Sequence, residues 1–86
     1  MFDQETSLLA AKLAVEIREP IQPSFVESIY ERLHRKWNIP TVDPIDVLGV
    51  AQLLRMQIDN GKVRRPKSLN EWRDAIADAV ARLKLK

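Results

Sequence analysis

Cysteine is absent from the 86-residue chain. That excludes disulfides, thiolate zinc sites and cysteine nucleophiles together, and it suits a reducing compartment. Histidine occurs once, as His34, and a metal centre or an acid–base relay needs several such groups within reach of one another. Only Gly49 and Gly61 are glycines, too few for a glycine-rich phosphate loop. No apolar run approaches the length of a membrane span, and the opening Met1-Phe2-Asp3-Gln4-Glu5 is acidic, unlike a secretory leader. The expectation is a soluble, cytoplasmic protein that is not an enzyme, carries no cofactor or metal, and has no membrane partner.

What the chain does have is helix punctuation. Ser24-x-x-Glu27 and Ser68-x-x-Glu71 have the form of capping boxes, in which the serine hydroxyl accepts from a free amide of the first turn. Asp43-Pro44 offers a cap followed by proline at the first helical position, where its missing N–H costs nothing. Asp3 can cap a first helix that Pro20 ends, and Asn60-Gly61 can end the third. Four helices follow, at about residues 4–19, 25–37, 44–59 and 69–83. The fold class is all-α, a compact array of four short helices in a single domain.

Apolar spacing assigns their faces. Leu9, Ala10, Leu13, Ala14 and Ile17 line helix one, and Val26, Ile29, Tyr30, Leu33 and Trp37 line helix two. Val47, Val50, Ala51, Leu54 and Ile58 line helix three, and Leu69, Trp72, Ile76, Ala79, Val80 and Leu83 helix four. Glu71, Asp74, Asp78 and Arg82 are expected in water, as is Arg32. Helices one and three carry a second stripe each: Leu8, Ala11 and Val15, and Ile45, Gly49, Leu53 and Met56. Either these stripes are buried on two-sided helices, or the helix-three stripe meets a partner, with Gly49 permitting close approach and Met56 adapting to varied surfaces.

Charge is uneven along the chain. Residues 1–30 hold five acids and two bases, and residues 31–86 hold seven acids and twelve bases. The densest basic run is Lys62, Arg64, Arg65 and Lys67, which Arg35 and Lys36 would widen if folding brought them near. Such residues contact phosphates in nucleic-acid complexes, and they also serve as plain solvated connectors. The run from Gln52-Leu53-Leu54 to Gly61-Lys62 and Pro66 resembles part of the small excisionase-type winged-helix domains. Six residues between Leu54 and Gly61 are too few for the turn and recognition helix those domains place there, so no family follows.

With no catalytic constellation, the leading expectation is a small interaction module that binds a protein partner or a second copy through Ile45, Gly49, Leu53 and Met56. The alternative is a nucleic-acid-associated protein using the basic loop.

Overall fold

The computed structural model describes residues 3–85; Met1 and Phe2 of the acidic opening, and Lys86, lie outside the described residues. Four helices follow one another, α1 (Gln4–Ile17), α2 (Pro23–Trp37), α3 (Pro44–Asp59) and α4 (Leu69–Lys84).

The caps behave as side-chain chemistry dictates, with one exception. Asp3 accepts from the Thr6 amide, Asp43 from Ile45 and Ser68 from Glu71. Ser24 caps nothing. Pro23 occupies the first turn of α2, which begins two residues before the expected start, with Gln22 before it and no side-chain cap. Proline has the helical φ built in and no N–H to satisfy, so it displaces a capping serine. Ser68→Ala should therefore cost about 1 kcal/mol and Ser24→Ala only a few tenths. Denaturant melts giving equal losses for the two would contradict these helix starts.

Helix α1 ends at Ile17, two residues short of expectation. Arg18 turns left-handed, with φ 59°, and the residue before Pro20 is biased away from helical geometry. Asn38, a residue type that tolerates the left-handed region, ends α2 at φ 54°. Gly61, at φ 74°, completes the turn after α3.

Helix α1 packs on α2 and α3, and α4 packs on the same two, leaving α1–α4 and α2–α3 as diagonals among the described residues. Side-chain pairs give the sense of each neighbour. Glu16 of α1 meets Gln52 and Arg55 of α3, while Leu8 lines a hollow with Ile45, so α1 and α3 run the same way. Arg32 meets Asp74 and Lys36 meets Asp78, so α2 and α4 also run together. Lys84 meets Asp46, which sets α3 and α4 antiparallel. The helices alternate up and down, but the α2–α3 connection crosses the diagonal. Ile39 and Val42 of that connection pack on the core as they pass.

Leu9, Leu13, Ile17, Val26, Ile29, Leu33, Val47, Trp72, Ile76 and Val80 form the centre of that core. On α4 the buried face is rotated from the expected one. Ala77 and Ala81 are buried, while Leu69 and Leu83 are exposed. At 100° per residue Ala77 and Ala81 fall beside Asp74 and Asp78, the residues that meet α2, and side chains this small leave room for the neighbouring helix. The rotation also turns Asp74 and Asp78 toward α2, and both are half-buried rather than solvated. Arg32 lies 3.2 Å from Asp74 and 3.5 Å from Asp78, and the Trp37 indole N–H donates to Asp78 at 3.1 Å. Burial pushes the Asp78 carboxyl up, but the Trp37 hydrogen bond, with Lys36 and Arg32, outweighs it and leaves the group below the ordinary carboxylate value. A folded value below the unfolded one means this contribution is complete above the ordinary carboxylate range. It is lost as the pH falls through the folded value.

Candidate functional site

The basic loop is held by its ends. After Asn60 and Gly61 the chain folds back, with the amides of Lys62 and Val63 donating to the Gln57 carbonyl at 2.8 and 3.3 Å. Arg65 then leaves the candidate phosphate surface altogether. Its guanidinium donates to Glu19 at 2.9 Å and to the Ile17 carbonyl at 3.3 Å, and it sits 5.7 Å above the Trp72 ring. It satisfies a terminal carbonyl of α1 and pins the loop to the start of α4, a structural duty that no local sequence signal announces. Lys62, Arg64 and Lys67 remain exposed, with no ion pair among the described residues.

Arg35 and Lys36 do not join them. Arg35 pairs with Glu31 one turn back, at 3.0 Å, and Lys36 reaches Asp78 at 3.5 Å. Asp78 lies ten residues beyond Ser68, about 15 Å along α4 at 1.5 Å per residue. The six basic residues therefore divide into one structural clamp, three exposed loop cations and two locally neutralised side chains. His34 is exposed on α2, and no group of three or more His, Asp or Glu side chains among the described residues could hold a metal ion.

The α3 stripe is brought together. At 100° per residue, Ile45, Gly49, Leu53 and Met56 fall within an arc of about 80° on the helix surface. That arc points away from Val47 and Ala51, which are fully buried. Ile45 is 76% exposed, and Leu53 and Met56 are each more than half exposed. The stripe has apolar neighbours on both sides. Toward α1 it meets Leu8 across the hollow shared with Ile45. Toward α4 it borders a groove of about 480 Å³, floored by Gly49, Val50 and Ala79 and walled by Ile45, Leu53 and Leu83.

Sequence reasoning placed Leu83 and Ala79 in the core and so missed the far wall and floor of this groove. The alternating alanines of α4 at 75, 77, 79 and 81 left its buried direction open, and only the packing partner settles it. Gly49 is the anomaly at the centre. A mid-helix glycine costs about 1 kcal/mol relative to alanine. Here a Cβ would meet nothing within 4 Å, so no contact inside the molecule requires its absence.

No helix among the described residues is long and apolar enough to cross a membrane. No protein-family model, curated protein or solved structure matches this chain.

Proposed function

We propose that this domain is a non-enzymatic interaction module that docks a protein through the outward face of α3 and the adjoining α3–α4 groove. The observation that carries the reading is the exposed apolar face with an unexplained glycine at its centre. Leu8, Ile45, Leu53, Met56 and Leu83 are each at least half exposed. Together they leave on the order of 500 Å² of apolar surface in water, at the upper end for the largest patch on a monomer. Covering it removes that surface from water at about 25 cal/mol per Å² before association costs.

A photo-crosslinking residue at position 53, in the cells that make the protein, tests this. A discrete protein adduct is expected at 53 and none at Glu27, an exposed position on α2. Equal labelling at both positions, or none at either, overturns the reading.

A second reading is supported by the three exposed loop cations. If Lys62, Arg64 and Lys67 contact phosphates, binding to duplex or single-stranded nucleic acid should weaken steeply with salt. Arg64→Ala should then reduce the salt slope by about one. No binding at low salt removes this reading and leaves the apolar one untouched.

A further inference from the structure

We propose that the occupant of the α3 face is a second copy of this chain, the two α3 helices crossing antiparallel about a two-fold axis at Gly49. The proposal rests on the interaction reading above and names its partner.

Three observations favour a copy over an unrelated protein. The first is self-complementary spacing. Ile45 and Leu53 lie four residues to either side of Gly49, on one i±4 ridge, the row that interdigitates in the commonest helix crossings. An isologous contact centred on Gly49 sets Ile45 of each protomer against Leu53 of the other, and the glycines let the backbones approach. The chain thus supplies both members of each Ile45–Leu53 contact and the small residue at the crossing point. The antiparallel sense also opposes the two helix dipoles, whereas the parallel one aligns them.

The second is size. The exposed apolar patch alone, on the order of 500 Å², is more than half of the roughly 800 Å² that a standard stable interface covers per partner. The third is charge. The rim pairs Asp46 with Lys84 on the α4 side and Glu16 with Arg55 on the α1 side. A rim balanced in sign neither attracts a strongly charged partner nor repels a copy of itself.

The glycine provides a test that spares the fold. A side chain at position 49 meets nothing in the monomer and replaces a poor helix former, so Gly49→Gln should melt a few degrees higher, measured where the wild type is monomeric. At the crossing it would hold the backbones apart. Sedimentation equilibrium from about 1 µM to 1 mM should show a wild-type dimer, and a dissociation constant raised at least about thirtyfold in Gly49→Gln.

The geometry itself is tested by a pair. Ile45→Lys and Leu53→Asp should each associate poorly alone. Mixed, they should recover a heterodimer, because one contact becomes Lys against Asp and the other stays Ile against Leu. A parallel crossing gives no such rescue.

A wild type that stays monomeric at 1 mM overturns the proposal, as does a Gly49→Gln dimer of wild-type affinity. Failure of the mixed pair beside a dimeric wild type overturns the antiparallel placement. A crosslinked adduct at position 53 with a mass other than twice the chain's overturns the second copy yet keeps the interaction reading, so the two failures are distinguishable.

Discussion

Trp72→Ala is expected to unfold the domain near body temperature. Trp72 is 1% exposed and is the largest fully buried side chain, placed where α4 meets the core beneath Arg65. Truncating a buried aromatic to alanine costs about 3–5 kcal/mol, the lost transfer energy plus the cavity left behind. A chain of this size has only about 4–13 kcal/mol of stability in total. The melting midpoint should fall by about 12–40 °C, at roughly 4–8 °C per kcal/mol for a domain this small. The same substitution strips the ring from under Arg65, loosening the clamp on the end of α1. Trp72→Phe should be far milder, because the indole N–H is buried without an acceptor and phenylalanine removes that unsatisfied group. Calorimetry or thermal circular dichroism checks both, and a Trp72→Ala midpoint within a few degrees of wild type would place Trp72 outside the core.

The second large effect is a contrast within one helix. Val47→Asp and Leu53→Asp make the same kind of change six residues apart on α3, with opposite expected results. Val47 is fully buried among apolar side chains, where an unpaired carboxylate costs several kcal/mol or forces protonation. Far-UV circular dichroism of Val47→Asp should show lost helicity and no cooperative melt. Leu53 is 54% exposed, so its replacement forfeits only its partly covered apolar area and some helix propensity, about 1 kcal/mol in all. Leu53→Asp should keep the helical spectrum and a midpoint within several degrees of wild type. Light scattering at high concentration should nonetheless show association lost. If Leu53→Asp also loses its helicity, α3 is packed on two sides and its outer stripe is core, which would remove the docking surface.

Local chemistry alone determined much of this protein. Asp3, Asp43 and Ser68 cap helices because a short oxygen-bearing side chain before a first turn finds a free amide there, whatever surrounds it. The bounds of α3 follow from Asp43-Pro44 at one end and Asn60-Gly61 at the other. The inward faces of α1, α2 and α3 follow from spacing, since the fuller apolar stripe at helical period is the one that packs inward. The second stripes of α1 and α3 were also visible in the sequence, but whether they were covered was not. Covering depends on how many helices surround each one, and among the described residues each helix packs on two neighbours.

Tertiary structure decided the rest, wherever the deciding partner is distant along the chain. Arg65 is a basic loop residue like Arg64 until α1 and α4 bring Glu19, the Ile17 carbonyl and the Trp72 ring to it. Asp78 has a local candidate partner in Arg82, yet pairs with Lys36 and Trp37 across the α2–α4 contact. The rotation of α4 that buries Ala77 and Ala81 leaves Leu83 to wall the groove. Gly49 reads as a weak point in a helix from sequence alone. Only the empty space around its Cβ position shows that nothing within the molecule asks for a glycine there.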